Sequence, residues 1–256
     1  MPTAPHQSSS VTPVTRVNIA ILLPMLAAIV AITPLAIDMY LPAMARLASS
    51  FHTDITLVQQ SLSLYLAGYA LGMLTFGPLA DKLGRRPLVI LGLTGFMIVS
   101  LILAFVTSIE LFLVLRCIQA FIGAAATVVV PGYIKEIYGI NTAKGMSYVS
   151  LIMMLAPLIA PSVGSLILEF GDWHLIFFVL AIYACLLLVL VCSKLTMPSD
   201  NDNHSRSQQS FFGAYTVIFT KPGTKMHIAS GVLTSFAFFC YLTRVAKISG
   251  ACPRAG

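Results

Sequence analysis

The strongest constraint on this chain is a series of long apolar stretches separated by short polar breaks. Seven can be counted, at about 18–39, 57–80, 88–107, 109–133, 145–168, 174–192 and 226–243. Each has the roughly 18–25-residue length that crosses a hydrocarbon core about 30 Å thick. In lipid the backbone must satisfy its own hydrogen bonds, so only helices and closed barrels can span. The apolar residues run continuously instead of alternating, and helices are therefore expected. The fold class read from this is an all-α polytopic membrane protein, with a six-helix bundle over 18–193 and a seventh transmembrane helix at 226–243. A cleaved signal peptide is a rival reading of the first stretch, because Ala43-Met44-Ala45 fits a cleavage site; the length of the stretch and its weakly charged start argue against it.

The remaining segments are polar. Residues 1–17, rich in Ser, Thr and Pro, read as a disordered N-terminal arm. Residues 194–225 carry Asn, Ser, Gln and Asp and read as a linker. The net charge of +6 raises the question of nucleic acid. The basic residues sit in the short breaks, however, which is the pattern of membrane topology, so a lipid bilayer and no nucleic acid is the expected partner. With the N-terminus in the cytoplasm, Arg16, Lys82, Arg85, Arg86, Lys135, Lys144, Lys194, Arg206, Lys221 and Lys225 all fall inside, and within the first six spans only Arg46 falls outside, beside the acids Asp54, Glu169 and Asp172. Residues 244–256 break that rule, since Arg244, Lys247 and Arg254 would lie outside. The tail therefore reads as foreign to the original gene, through a frameshift or a shortened reading frame.

Only 9% of the residues are charged, yet four charges fall in the block Gly77-Pro78-Leu79-Ala80-Asp81-Lys82-Leu83-Gly84-Arg85-Arg86-Pro87. Physically, Gly77 permits close helix approach, Asp81 accepts hydrogen bonds or pairs with a cation, Gly84 supplies a turn, and Arg85 and Arg86 anchor the loop inside. The block resembles the signature loop of the major facilitator superfamily, of the form G-x-L-A-D-[RK]-x-G-R-[RK]. Ala36-Ile37-Asp38-Met39-Tyr40-Leu41-Pro42 resembles the end of helix 1 in its Bcr/CflA subfamily of bicyclomycin and chloramphenicol exporters. Leu115-Arg116-Cys117-Ile118-Gln119-Ala120 resembles the helix 4 motif R-x-x-Q-G of proton-coupled members, with Ala120 in place of the glycine. Ala160-Pro161-Ser162-Val163-Gly164-Ser165 is similar to the antiporter motif G-P-x-x-G-G, with two glycines replaced by small residues. Ala156, Ala160 and Gly164 lie four apart and form one small-residue stripe for close packing, beside Pro161.

The resemblance implies a twelve-helix transporter of two six-helix bundles, with this chain covering the first bundle and the start of the second. It implies multidrug efflux by drug:proton antiport across the bacterial inner membrane. The partners are then protons and lipophilic drugs such as chloramphenicol-like or bicyclomycin-like compounds, and the proton gradient stands where a cofactor would. Spans 1, 2, 4 and 5 face the cavity in that family, which makes Tyr40, Tyr65, Tyr69, Gln119 and Met153 or Met154 candidate cavity residues; for each, ordinary packing is the competing explanation. The 256-residue product alone is expected to export nothing, and the alternative is a non-transporting membrane fragment or interaction protein. A seven-helix receptor fits the span count but not the charged loop or the linker.

Two charges within the spans bear on mechanism. A charge in lipid costs at least about 2.5–3.5 kcal/mol, so each needs a partner or a wet cavity. Arg116 lies roughly 10 Å into span 4 at about 1.5 Å per residue. Asp38 lies at a similar depth if helix 1 continues past Pro42 to about Leu47, and the two are expected to face each other. Asp38 is thus the proton-coupling candidate with Arg116 as its partner, against a purely structural role beside the break at Pro42. Enzyme chemistry is not expected. His6, His52, His174, His204 and His227 are scattered, Cys117, Cys185, Cys192, Cys240 and Cys252 show no paired spacing, and no GxxxxGK loop exists.

Overall fold

The computed structural model describes residues 19–194, together with helical pieces at 223–226 and 229–234 and residue 237. The N-terminal arm, most of the linker, most of the seventh span and the tail lie outside the described residues. The chain divides into two compact units, Met1–Arg206 and Ser207–Gly256. In the second, the described pieces are helical and Thr234 Oγ1 donates to the Ser230 carbonyl at 2.8 Å.

The first unit is built from helices alone among its described residues. These are α1 (Ile19–Asp38), α2 (Met44–Ser50), α3 (Ile55–Leu83), α4 (Arg85–Leu103), α5 (Ile109–Thr127), α6 (Val130–Tyr138), α7 (Thr142–Phe170) and α8 (His174–Lys194), with 3-10 turns at Leu41–Ala43 and Gly139–Asn141. Five apolar helical stretches are long enough to cross a bilayer: Ile21–Ser50, Ile55–Ala80, Arg85–Leu103, Ile109–Phe170 and His174–Ser193. The fourth has 62 residues. At a rise of 1.5 Å per residue that is about 93 Å, three times the thickness of the core. It turns at Gly139, whose φ of +48° suits glycine, and α6 packs back on α7. The stretch therefore makes two crossings, and the bundle has the six expected.

Two of the expected spans are not single helices, and proline explains both. Helix 1 does not run on to Leu47. Pro42, four residues after Asp38, has no N–H to give the Asp38 carbonyl, so α1 ends at Asp38 and the chain resumes as a 3-10 turn and α2. Pro131 stands in the same relation to Thr127, where α5 ends before α6 begins. The same loss at Pro78, Pro157 and Pro161 leaves α3 and α7 unbroken.

With no hydrophobic drive between helices in lipid, close packing depends on small side chains. The centre of the bundle is α5, which packs on α3 on one side and on α4 on the other. A Cβ at Gly72 of α3 would fall 2.5 Å from the Phe121 carbonyl oxygen and 2.6 Å from the Ala124 Cβ. One at Gly92 of α4 would fall 2.5 Å from the Ala126 nitrogen. Among the described residues Gly77 does not serve this purpose, contrary to expectation: a Cβ there would meet only Val128 Cγ2, at 4.0 Å. The close approach of α3 to α5 lies one and two turns earlier, at Gly72 and Gly68. On α7, the stripe of Ala156, Ala160 and Gly164 is buried and continues in both directions through Val149 and Gly145 and through Leu168. It packs on α1, where a Cβ at Gly164 would strike the Met39 backbone at the break.

Candidate functional site

The break in α1 and the middle of α5 meet around one side chain. Arg116 is 0% exposed, the largest fully buried side chain in the bundle. Its Nη2 donates to the Ala36 carbonyl at 3.0 Å, and its Nη1 donates to Gln119 Oε1 at 2.9 Å. Gln119 is three residues on and so shares the helix face. Its amide donates to Ser100 Oγ of α4 at 2.8 Å, and Ser100 in turn donates to the Phe96 carbonyl at 2.6 Å. The guanidinium carbon lies 4.5 Å from the Tyr40 ring centroid, 4.6 Å from that of Tyr65 and 5.7 Å from that of Phe177. Tyr40 is aimed by its hydroxyl, 2.6 Å from Ser61 Oγ on α3, and Ser61 donates to the Val58 carbonyl at 2.7 Å. One cation thus touches residues of α1, α3 and α8 and reaches α4 through Gln119.

Two expectations change here. Asp38 and Arg116 do not pair: among the described residues no carboxylate lies within ion-pair distance of the guanidinium. Arg116 instead holds the backbone of α1 two residues before Asp38, and Asp38 itself is half-buried at the last residue of the helix. Tyr40, Tyr65 and Gln119 line no open cavity among the described residues, being 0%, 1% and 0% exposed. They are drawn inward because Arg116 needs acceptors and π faces. Tyr69, one turn beyond Tyr65, is half-buried and its hydroxyl lies 3.1 Å from Thr127 Oγ1. Met153 and Met154 lie apart from this cluster, exposed on α7.

At the end of the bundle where α3 meets α4, the charged block proves to be mostly helix. Gly77 to Leu83 belong to α3, and the turn is Gly84 alone, with φ +88°. Arg85 forms an ion pair with Glu136 of α6 and lies against Gly132, while its guanidinium carbon is 6.0 Å from the Tyr133 ring centroid. Arg86 donates to the Cys192 carbonyl at 3.3 Å, at the negative end of α8. The Asp81 side chain lies outside the described residues. At the opposite end Arg46 donates to the carbonyls of Leu168 at 2.8 Å and Gly171 at 3.1 Å, closing the C-terminus of α7.

Ser61, Ser100 and Phe177 were not singled out by sequence. The serines carried a usable signal: each is a hydroxyl inside an apolar run that bonds back to its own helix and frees the oxygen's lone pair for a neighbour. Phe177 carried none, being one of many aromatics in α8.

A helical bundle that crosses the membrane six times, closed around a buried cation at the break of its first helix, defines a polytopic α-helical membrane protein. Residues 26–249 match the Major Facilitator Superfamily, and the chain belongs to that family, which is one of transporters rather than enzymes. It is 35% identical over 159 residues to a bicyclomycin resistance protein homolog of Haemophilus influenzae, covering 62% of this chain and 40% of that protein. It is 36% identical over 145 residues to a chloramphenicol resistance protein of Pseudomonas aeruginosa, covering 56% and 35%. It is 33% identical over 187 residues to the multidrug resistance protein MdtL of Citrobacter koseri, covering 72% and 48%. The chain spans less than half the length of these curated relatives. Relatives named for drug resistance support drug efflux as the work of the family at this level.

Proposed function

We propose that this chain forms the first bundle of a proton-coupled drug exporter of the bacterial inner membrane, with its N-terminus in the cytoplasm. Lipophilic drugs of the chloramphenicol or bicyclomycin kind leave as protons enter. Asp38 is the coupling carboxylate, and the observation that carries this is the grip of Arg116 on the Ala36 carbonyl. A buried arginine fixes the end of α1, and with it the position of an acid that an apolar segment bears at a cost. Arg116 therefore acts on Asp38 through the backbone, not as its counter-ion. Tyr69 and Met153 remain the cavity candidates, since Tyr40, Tyr65 and Gln119 are committed to Arg116. Orientation follows from the basic residues at the Gly84 end of the bundle, Lys82, Arg85, Arg86, Lys135 and Lys144, against Arg46 at the other.

The test is drug accumulation in an efflux-deficient bacterium expressing a full-length transporter that carries this chain as its first bundle, with and without a collapsed proton gradient. Accumulation should fall on expression and recover when the gradient is collapsed, and Asp38→Asn should abolish the difference. Export by Asp38→Asn at the native level would remove Asp38 from the coupling step. No difference between that transporter and an empty vector would favour a membrane protein without transport of its own.

A further inference from the structure

Arg116 presents a physical problem that the coupling role does not solve. A buried ion is normally stabilised by an opposite charge, and without one its loss of hydration is severe. Here no carboxylate stands within ion-pair distance among the described residues, and the guanidinium Nε is buried with no acceptor. The group donates to one backbone carbonyl and one neutral amide oxygen, and the Tyr40 hydroxyl stands beside it. What else surrounds the guanidinium is aromatic: two tyrosine rings within 4.6 Å of its carbon, and a phenylalanine at 5.7 Å. Ring faces are negative and attract a desolvated cation.

We propose that Tyr65 and Tyr40 are positioning residues for Arg116: their ring faces take the place of the missing carboxylate and hold the guanidinium on the Ala36 carbonyl at the break in α1. The two rings come from different elements. Tyr65 projects from α3, and Tyr40 follows the end of α1, where the hydroxyl contact with Ser61 fixes it to α3. The clamp therefore closes only when α1, α3 and α5 are in their packed arrangement. The buried cation then reports on that arrangement, and neither tyrosine is a drug-contacting residue. The inference rests on Arg116 mattering to the α1 break, as in the reading above, but it does not need Asp38 to carry protons.

The test holds shape constant and changes only the charge on the ring face. Phenylalanine and pentafluorophenylalanine are placed in turn at position 65 of the full chain, the latter by stop-codon suppression, and thermal unfolding is followed in detergent micelles. Pentafluorophenylalanine should unfold about 4 °C below Tyr65→Phe. In an Arg116→Met background the two should unfold together, because the cation that reads the ring is gone. A plain packing role predicts the same difference in both backgrounds, and that result, or no difference in the native background, overturns the proposal. If Arg116→Met does not fold, a series with one, two, three and five fluorines decides instead: the midpoint must fall with each addition, and a flat series overturns the proposal. Asp38→Asn enters none of these measurements. Loss of the coupling reading would leave the clamp standing, and the reverse also holds.

Discussion

Arg116 and Arg85 are the same residue type solving opposite problems. Arg85 sits at the bundle's edge, 26% exposed, paired with a Glu136 that is 57% exposed. Water screens that pair, and exposed pairs of this kind contribute about 0–1 kcal/mol. Arg116 is sealed, has no acid within ion-pair distance among the described residues, and is held by a carbonyl, an amide and ring faces. The difference teaches that position across the membrane decides what an arginine is for. At the surface its charge is a topological anchor that tolerates an imperfect partner. In the interior its geometry is what counts, and every donor left unmatched is costly.

The comparison can be broken in order of expected effect. Arg116→Ala should be the most damaging, at about 4 kcal/mol, because it leaves a cavity and strands Gln119 and the Ala36 carbonyl. Unfolding in detergent measures it, and a cost below that of Arg85→Ala would end the contrast. Gln119→Leu keeps the cation but removes its amide acceptor, and should cost about 2 kcal/mol. Gln119→Glu would sharpen the point, since an acid supplied at that place should make the ring faces less necessary. Arg85→Ala should cost less than about 1 kcal/mol, and raising salt should shrink even that. A salt-insensitive loss at Arg85 would show that its contacts with Tyr133 and Gly132, not the ion pair, are what holds α4 to α6.

Much of the bundle could be read from sequence because its causes are local. Run length gave the crossings, and Gly84 was legible as a turn; the N-cap of α5 is Ser108, whose hydroxyl accepts from the Leu111 nitrogen at 3.4 Å. The four-residue stripe of α7 was visible for the same reason. The break at Pro42 entered only as the competing reading of Asp38, and the one at Pro131 was not read, although both prolines were in view. Pro42 and Pro131 end helices while Pro78, Pro157 and Pro161 do not, so the missing N–H opens each ladder and packing decides which openings become breaks. At the site, counting residues placed Arg116 inside a span, but the depth given to Asp38 assumed a helix running on to Leu47, and neither count gave a direction. Successive helical residues are turned by about 100°, so an argument from depth alone cannot tell which side of α1 meets the guanidinium. The tyrosines were legible as important but misread as wet. A hydroxyl suggests a cavity, whereas at Tyr40 and Tyr65 the ring faces are the part that Arg116 uses.

The aromatic cluster beside this site has a practical consequence. The chain has a single tryptophan, Trp173, and it is almost fully buried. Its ring lies 6.1 Å from that of Phe177, whose ring centroid also lies 5.7 Å from the Arg116 guanidinium carbon. Indole emission from the unlabelled protein therefore arises from one address, one ring away from the buried cation. Any rearrangement that loosens α8 from α5 should change the colour of that light, so the molecule carries its own optical gauge of whether the centre of the bundle is closed.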